Sequence, residues 1–507
     1  MLKNKISTTA YILIISIINL LLFHVPFFKF VCVSLDCAQI NSFKIFISLV
    51  ILMLALNALV FYIIFIFSRK AGNILILLFF ILNSIAIYFV KTYGVIIDKN
   101  MIGNILNTNY EESSNLFSFG LFYYLFFLGI LPVIFFLKIK VVKDSFKKKI
   151  SVISLLLIFI LSLVYGNSKN WLWIDKNSTK LGALVMPWSY VINTSRFYIH
   201  KSKKNKKEII LPNSKILNSE KSIIVLVIGE SARSQNFSLL GYHKNTNPLL
   251  SQTKNIYSFN ASSCATYTTA GIKCMLEHKS SSKLYEILPN YLYRNGVEVI
   301  WRTTNWGEPP IHIKNYLNRR DLEKECTSNE DCDYDGILLS GLKKQILASN
   351  KNKIFVVLHT STSHGPTYNK KYPLKFKKFK PVCESVELAK CTNNELINAY
   401  DNTIIYTDYI LYSLINSLKQ LEEFKSAMLY VSDHGESLGE NNIYLHGLPK
   451  SIAPKEQLEI PFIIWTSDSS QQVKPNNNLS QNHVFHSVLK FLSIKSPIYN
   501  DNMSVFK

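Results

Sequence analysis

Long apolar segments fill the first third of the chain. Each is about as long as the ~20 residues that a helix needs to cross the hydrocarbon core of a bilayer. The segments lie near residues 10–30, 44–67, 73–90, 118–137 and 150–166. The first has no obvious small-residue cleavage site and four more follow it, so we expect it to be kept as an anchor and not removed as a signal peptide. The pattern predicts five membrane-spanning helices.

The pattern changes beyond residue 215, where short apolar runs alternate with helical stretches. The runs predict buried strands over residues 223–228, 297–301, 354–358, 427–431 and 461–465. A helix is predicted over about 393–422, where apolar residues recur at helical spacing. Strands that alternate with helices predict an α/β domain with a central, mostly parallel sheet and helices on both faces. In such sheets ligands collect at the carboxyl ends of the strands.

These patterns divide the chain into three parts. Residues 1–167 are predicted to form the five-helix transmembrane domain, residues 168–215 an interfacial helix and linker, and residues 216–507 a soluble domain able to carry chemistry. The middle part contains three tryptophans, among them Trp188. Tryptophan is enriched where a membrane meets water, so we expect this part to lie in the head-group layer.

Charge predicts the orientation of the chain. Loops facing the cytoplasm are rich in Lys and Arg, and the basic loops here precede the first span, follow the second and follow the fourth. The N-terminus is then cytoplasmic and the soluble domain lies outside, in a periplasm or its equivalent. The chain has 56 Lys and Arg against 34 Asp and Glu, a formal net charge of +22. An excess of positive charge is also typical of proteins that bind nucleic acid, but the predicted membrane topology argues against that partner. The basic cluster at 201–207 is interpreted as a solvated linker that rests on anionic head groups.

Eight cysteines test this orientation, because disulfides persist only in oxidising compartments. All fall on the predicted outer side, in the close pairs Cys32 and Cys37, Cys264 and Cys274, Cys326 and Cys332, and Cys383 and Cys391. Metal binding is the alternative, but no pair has the two-residue spacing of a zinc ribbon. We therefore favour disulfides.

Acidic and histidine side chains follow several of the predicted strands. The candidates are Glu230, His359, His364, Asp433, His434 and His446. Each alone has an ordinary explanation. Glu230 suits the first turn of a helix, where an acid interacts favourably with the helix dipole, and buried structural histidines are common.

Threonines provide a candidate nucleophile. Thr266, Thr268 and Thr269 lie in a loop that a disulfide between Cys264 and Cys274 would close. A threonine hydroxyl attacks poorly at neutral pH unless a metal or a base removes its proton. The alternative is a surface loop with ordinary turn hydroxyls. However, two carboxylates, an imidazole and a hydroxyl converging at strand ends would suit Zn²⁺, with Mn²⁺ second, and such an ion would activate the threonine and polarise a phosphoryl oxygen.

A polar stretch separates the third and fourth spans. Asn104, Thr108 and Glu112 recur there at positions i, i+4 and i+8. On a helix they would form one polar stripe facing the membrane surface or the soluble domain. The alternative is the solvated face of a short interfacial helix.

The motifs taken together resemble a known enzyme family. VIGESAR, SCATYTTAGIKCM, SHGP, VCESVELAKC, LINAYDN, YVSDHGESLGE, YLHG and APKEQ occur in this order over nearly the whole soluble domain. In these motifs and in its anchor the chain resembles the lipid A phosphoethanolamine transferases, which include the mobile colistin-resistance enzymes. The resemblance implies a five-span anchor followed by an α/β domain of the alkaline phosphatase and sulfatase fold.

The resemblance also implies roles for individual residues. Thr268 aligns with the nucleophile, and Glu230, Asp433 and His434 align with the other ligands of the catalytic zinc. His364 and His446 align with residues that contact the phosphoryl group or a second zinc and protonate the leaving group. Asn305 aligns with a residue that contacts substrate. Asn104, Thr108 and Glu112 align with residues that meet lipid, and the three soluble cysteine pairs align with family disulfides.

Two segments depart from the family pattern. Four residues after Asn305, where colistin-resistance members carry a lysine, this chain has Pro309 in the stretch NWGEPPIHIK. The loop that begins at Cys264 reads CATYTTAGIKC, without the commoner Gly after the first Cys and Pro before the second. Neither departure touches a zinc ligand, but both bear on acceptor and head-group binding.

The resemblance implies a two-step transfer at the bacterial inner membrane. Phosphoethanolamine would pass from phosphatidylethanolamine to Thr268, with release of diacylglycerol, and then to lipid A or another surface glycolipid, glycan or protein. The added ammonium group would weaken the attraction of the surface for polymyxin-type peptides. We expect a monomer with one catalytic zinc, two ions being the alternative. The rivals are a phosphoglycerol transferase or sulfatase-like hydrolase on the same fold, and a non-catalytic membrane scaffold or sensor.

Overall fold

The computed structural model divides into two compact units. The residues that it describes are 5–35, 40–108, 113–114, 116–166, 171–204, 208–327, 332–469, 471–474 and 478–507. The first unit comprises residues 1–106 and 117–199, and the second comprises residues 107–116 and 200–507. The domain boundaries placed at 167 and 215 from the sequence stay predictions.

The first unit is helical. Its helices are α1 (Thr8–Phe23), α2 (Val25–Leu35), α3 (Ile40–Phe67), α4 (Arg69–Tyr93), α5 (Lys99–Asn107), α6 (Phe119–Lys138, with a π-helical turn over Leu125–Ile130), α7 (Phe146–Gly166), α8 (Trp171–Lys176), α9 (Ser178–Leu184) and α10 (Trp188–Lys204). By length and hydropathy α3, α4, α6 and α7 can each cross a membrane, and α1 with α2, bent by 65°, adds a fifth span if the pair crosses as one. The bend precedes Pro26, whose missing N–H and ring disfavour a continuous helix. The predicted helical anchor is confirmed.

Buried asparagines join the helices of this unit. Asn83 on α4 donates to Asn19 on α1 at 2.8 Å and accepts from Tyr190 on α10 at 2.9 Å. Trp188, at the start of α10, donates its indole N–H to Asn57 on α3 at 2.6 Å. Trp188 was one of the tryptophans that suggested a position in the head-group layer, but its indole N–H is hydrogen-bonded to a protein side chain.

Helix α5 ends at Asn107, one residue before Thr108. The expected polar stripe therefore does not lie on one helix: Asn104 is helical, Thr108 follows the helix, and Glu112 lies outside the described residues. Asparagine and threonine side chains compete for backbone hydrogen bonds and are weak helix formers, which explains an end at this point. Contact of these residues with lipid stays a prediction.

The second unit is built around an eight-stranded sheet. Its strands are β1 (Ser222–Gly229), β2 (Ile256–Ser262), β3 (Glu298–Thr303), β4 (Asn315–Leu317), β5 (Lys353–His359), β6 (Lys425–Ser432), β7 (Glu459–Thr466) and β8 (Leu479–Ser480). Their order is β8-β2-β7-β6-β1-β5-β3-β4. Strand β7 runs antiparallel to its neighbours β2 and β6, and the other pairs are parallel. All five apolar runs form strands of this sheet. Most neighbouring strands are parallel, which confirms the predicted mostly parallel arrangement.

Helices cover a sheet whose central strands are fully buried. The helices are α11 (Thr268–Leu276), α12 (Leu288–Arg294), α13 (Arg319–Glu325), α14 (Leu342–Leu347), α15 (Asn393–Lys419) and α16 (His483–Phe491). Every residue of β1 and β5 is buried, as expected where helices pack on both faces.

Three pairs of two-residue strands lie outside the main sheet. Ile6–Ser7 pairs with Val141–Val142 in the first unit, and in the second unit Lys215–Ile216 pairs with Ile494–Lys495 and Ser437–Leu438 with Tyr444–Leu445.

Disulfides close three loops of the second unit. They join Cys264 to Cys274, Cys326 to Cys332, and Cys383 to Cys391, which confirms the predicted disulfides. Cys37, the expected partner of Cys32, lies outside the described residues.

Candidate active site

The carboxyl ends of β1, β2 and β6 meet at one edge of the sheet. Strands β1 and β6 are parallel, and β2 has the same direction because β2 and β6 both run antiparallel to β7. Glu230 directly follows β1, Asp433 and His434 directly follow β6, and Thr268 comes shortly after β2. The topology therefore brings together four side chains that are far apart in the sequence.

The polar atoms of these four side chains form a tight cluster. Thr268 Oγ1 lies 3.4 Å from Glu230 Oε2 and 3.4 Å from His434 Nε2. His434 Nε2 lies 3.5 Å from Glu230 Oε1 and 3.2 Å from Asp433 Oδ2. Bonds of about 2.0–2.2 Å to a tetrahedral zinc ion place neighbouring ligand atoms about 3.3–3.6 Å apart. The observed spacing fits one such ion.

His434 is oriented as a metal ligand. Its Nδ1 lies 2.9 Å from the carbonyl oxygen of Gly435, and since a carbonyl only accepts, Nδ1 carries the hydrogen. Nε2 then presents a lone pair toward Glu230 and Asp433. Burial lowers the pKa of His434 to about 4, so the imidazole is neutral at neutral pH.

Two buried carboxylates lie beside this imidazole. Burial, followed by the charge of Asp433, raises the pKa of Glu230 to about 8, and burial raises the pKa of Asp433 to about 7. Among the described residues no lysine or arginine forms an ion pair with either acid, and buried Asp433 Oδ2 has no hydrogen-bond partner there. Buried anions without a counter-charge are costly. A divalent cation would satisfy both acids and the orphaned oxygen, so the residues fit a metal.

The backbone turns sharply after Glu230. Ser231 has a φ of 52°, a left-handed conformation uncommon for residues other than glycine, and its N–H donates to Asp433 Oδ1 at 3.0 Å. Asn305 donates from Nδ2 to Glu230 Oε2 at 2.7 Å, so this predicted substrate residue touches a predicted ligand. The chain continues into a short 3₁₀ turn over Ser234–Asn236 and not into an α-helix. The interpretation of Glu230 as a first-turn acid is therefore wrong.

Thr268 is the first residue of helix α11 and is buried. Backbone N–H groups and the helix dipole favour negative charge at this end of a helix. Gly271 lets α11 lie directly on the end of β6, because a Cβ atom at Gly271 would sit 2.1 Å from the carbonyl oxygen of Asp433. The disulfide between Cys264 and Cys274 links the preceding loop to the same helix.

We expect Gly271→Ala to reduce the catalytic rate by about 100-fold, the usual effect of moving a reacting group by about 1 Å. The added methyl group must push α11 away from the backbone of Asp433, and Thr268 moves with the helix. Initial rates with purified full-length enzyme measure the effect. Gly182→Ala is the matched control, since a Cβ atom at helical Gly182 would meet nothing within 4 Å. Equal rates for the two variants would contradict this account of Gly271.

A second group of possible metal ligands adjoins the first and consists of His434, Glu436 and His446. Glu436 accepts from the Tyr368 hydroxyl at 2.6 Å and lies 2.8 Å from His446 Nδ1. The ring of His446 lies 4.2 Å from that of His434 and 5.6 Å from that of His364. Burial raises the pKa of Glu436 to about 8 and lowers the pKa of His364 and of His446. Glu436 was not among the candidates predicted from the sequence, although its position two residues after the candidate ligand His434 was a usable signal.

His359 makes different contacts from the other candidates. It ends β5, and its Nδ1 lies 3.2 Å from Thr303 Oγ1 and 3.8 Å from Glu308 Oε2. Burial lowers its pKa to about 3. These contacts are those of a buried structural histidine, which was the simpler alternative for this residue.

Comparisons with known proteins agree over the whole chain. The sulfatase family model matches residues 222–494, and the model described as phosphoethanolamine transferase EptA/EptB matches residues 52–202. The chain is 38% identical to phosphoethanolamine transferase EptA of Helicobacter pylori, with 98% of this chain and 96% of that protein covered. It is 30% identical to phosphatidylethanolamine transferase Mcr-1 of Escherichia coli, with 85% of each covered.

A solved structure resembles both units. The integral membrane protein lipooligosaccharide phosphoethanolamine transferase A of Neisseria meningitidis is 26% identical and covers 99% of each chain, with a TM-score of 0.88. Together with the sulfatase match, this confirms the predicted fold, a helical membrane anchor followed by an alkaline phosphatase-like α/β domain.

Proposed function

This chain belongs to the phosphoethanolamine transferase family, and on that premise we propose that it transfers phosphoethanolamine from phosphatidylethanolamine to lipid A or a related surface glycolipid. The name of the Mcr-1 relative supports the donor, and the lipooligosaccharide in the name of the Neisseria protein supports a glycolipid acceptor. The observation that carries the proposal is the position of Thr268, whose hydroxyl lies 3.4 Å from both Glu230 and His434 at the start of a helix.

Glu230, Thr268, Asp433 and His434 would hold a zinc ion, which when bound lowers the pKa of the threonine hydroxyl and polarises the phosphoryl oxygen. The rest of the site supports these side chains. Asn305 fixes the Glu230 carboxylate through its 2.7 Å hydrogen bond, and the Gly435 carbonyl fixes the tautomer of His434. The group formed by His434, Glu436 and His446 could hold a second ion, but one catalytic ion in a monomer is the arrangement that we propose.

In the first step Thr268 Oγ1 attacks the phosphorus of phosphatidylethanolamine. The new P–Oγ1 bond replaces the bond to the diacylglycerol oxygen, and the proton lost by Thr268 ends on that oxygen. The N-terminus of α11 favours the negative charge that develops at Oγ1. The neighbouring rings of His446 and His364 are the groups that we assign to proton transfer, since burial keeps both neutral and able to accept a proton. In the second step the acceptor displaces Thr268.

Other enzymes of the same fold are less well supported. A phosphoglycerol transferase or a sulfatase-like hydrolase would use the same soluble domain, and the sulfatase match alone does not separate them. The identity to EptA, however, extends over 98% of the chain and includes the anchor. A non-catalytic scaffold would not need buried acids without a counter-charge.

We assign the protein to the bacterial inner membrane with a cytoplasmic N-terminus and a periplasmic soluble domain. The basic loops support this orientation, and so do the three disulfides, which persist in oxidising compartments. Adding the ammonium group of ethanolamine to an anionic surface would favour polymyxin resistance.

Mass spectrometry of the covalent intermediate tests the proposal. Full-length enzyme incubated with phosphatidylethanolamine but no acceptor should carry phosphoethanolamine on the peptide that contains Thr268, with one diacylglycerol released per adduct. Phosphatidylglycerol in place of the donor should give no adduct. A phosphoglycerol adduct would support the rival transferase, and turnover without any adduct would support a hydrolase.

A further inference from the structure

We propose that a cavity beside His364 binds a phosphate monoester of the acceptor through Lys371 and Lys370, an inference that rests on the proposed function. The cavity has a volume of about 200 Å³. His364 and Asn305, which belong to the active site described above, form part of its wall. A group bound in this cavity is therefore adjacent to the residues that handle the phosphoryl group.

The buried acid in the wall of the cavity is not free to bind a cation. Buried Asp335 accepts hydrogen bonds from the N–H of Ser361 at 2.7 Å and from its hydroxyl at 3.1 Å, and also from the hydroxyls of Thr304 and Thr362. A carboxylate has about four lone-pair sites, so none remains for an ammonium group. The other acid, Asp333, is exposed to solvent, so its charge is screened more strongly than that of a buried group.

Two lysines in the wall of the cavity are available to bind an anion. Lys371 is half-buried and Lys370 is exposed, and in the part of the chain that the structure describes neither ammonium group forms an ion pair. Arg319, a further cation of the wall, is engaged with Glu323 at 3.1 Å and with the carbonyl oxygen of Asp333 at 2.7 Å. The cavity thus offers uncommitted positive charge, which complements a phosphate and not the ethanolamine cation.

The two lysines begin a strongly basic segment. Residues 370–380 read KKYPLKFKKFK and contain six lysines. Leu374 within this segment is 81% exposed. Clustered lysines beside an exposed leucine suit a phosphorylated lipid, whose head group is anionic and whose tails are apolar. An uncharged glycan hydroxyl would gain nothing from this charge.

The second step then has a defined chemical outcome. An oxygen of the acceptor phosphate attacks the phosphorus of the phosphoethanolamine carried by Thr268. The P–Oγ1 bond breaks, its electron pair stays on Oγ1, and the proton of the monoanionic phosphate passes to that oxygen. The product is a phosphoanhydride, and no further reactant is needed.

A two-stage assay with full-length enzyme separates this inference from the proposed function. In stage one, phosphatidylethanolamine vesicles load Thr268, and diacylglycerol release is counted. In stage two, lipid A with its phosphates, or the same lipid A after removal of its phosphates, is added and the loss of the adduct is timed. Lys371→Gln is compared with Lys371→Arg, which keeps the charge, and with Lys254→Gln, a substitution at an exposed lysine that lies outside the basic segment and does not line the cavity.

We expect Lys371→Gln to raise the acceptor KM of stage two about tenfold, the effect of losing one charge-assisted hydrogen bond that is partly open to water. Lys371→Arg and Lys254→Gln should stay within about twofold of the wild type, and dephosphorylated lipid A should not discharge the adduct. Equal discharge by both lipids, or an unchanged KM in Lys371→Gln, would overturn the inference. A stage-one rate that falls as far as stage two would assign the cavity to the donor and overturn it as well.

Absence of any adduct in the wild type would instead refute the proposed function. Binding gives a readout that needs no adduct. Fluorescent lipid A should bind the Thr268→Ala protein about tenfold more weakly once Lys371→Gln is added, and inorganic phosphate should compete with it. No change on adding Lys371→Gln would count against the phosphate site even if transfer occurs.

Discussion

Replacing Thr268 with alanine is expected to stop diacylglycerol release from phosphatidylethanolamine, with a fall in rate of at least about 10⁴-fold. In the proposed mechanism the hydroxyl oxygen forms the bond to phosphorus, and its place 3.4 Å from Glu230 and from His434 puts it where the proposed zinc ion would activate it. Labelled donor in vesicles, with diacylglycerol counted over time, measures the loss. The melting temperature should change little, because the substitution removes only a small side chain.

Two further substitutions make the result specific to this hydroxyl. Thr269→Ala removes the neighbouring hydroxyl, which points about 100° away around the helix, and should leave the rate within a few-fold of the wild type. Thr268→Ser keeps a hydroxyl in place and should still form an adduct, now on serine. Wild-type release of diacylglycerol by Thr268→Ala would refute the assignment of the nucleophile.

Glu230→Gln is expected to lower the rate by about 10³-fold, because a metal that polarises the phosphoryl oxygen contributes several kcal/mol to the transition state. The substitution keeps the size of the side chain and an oxygen for the hydrogen bond from Asn305, but it removes the charge of a proposed zinc ligand. Zinc content after removal by a chelator and titration back, together with the rate, measures the effect.

The free energy of unfolding tests the same assignment independently, because Glu230→Gln should change it differently with zinc and without metal. Zinc at about 100 times its Kd should raise the free energy of unfolding of the wild type by about 2.7 kcal/mol, and Glu230→Gln should gain much less. Without metal the variant should be at least as stable as the wild type, since Glu230 and Asp433 no longer repel each other. Exposed Glu422→Gln is the control and should behave as the wild type with and without zinc. The same zinc-dependent gain in Glu230→Gln would exclude Glu230 as a ligand.

The sequence predicted the elements with strong periodic or apolar patterns. The five strand runs became strands of the main sheet, and the helix expected over about 393–422 covers Asn393–Lys419. Its start could be read locally, because Thr392 and Glu395 form a capping box. Span lengths were equally readable, since hydrocarbon thickness sets a minimum number of apolar residues.

Patterns with two local solutions were less informative. The spacing of Asn104 and Thr108 fits a helical stripe, yet the helix stops between them because local side-chain hydrogen bonds compete with it. Glu230 fits the first turn of a helix equally well, but the left-handed Ser231 turns the chain toward Asp433. Neither choice is visible in sequence spacing alone.

The sequence by itself therefore determined the anchor, the mostly parallel sheet, the three cysteine pairs of the second unit and the residue types of the candidate site, because these follow from local composition and periodicity. The tertiary structure decided which side chains meet. The Thr268 hydroxyl comes within 3.4 Å of Glu230 and His434 because Gly271 lets helix α11 lie on the end of a strand. The roles assigned to Glu436 and Lys371 likewise depend on neighbours that are distant in the sequence. Distances of 3 to 4 Å between such residues depend on how the strands are ordered in the sheet, and no local pattern encodes that order.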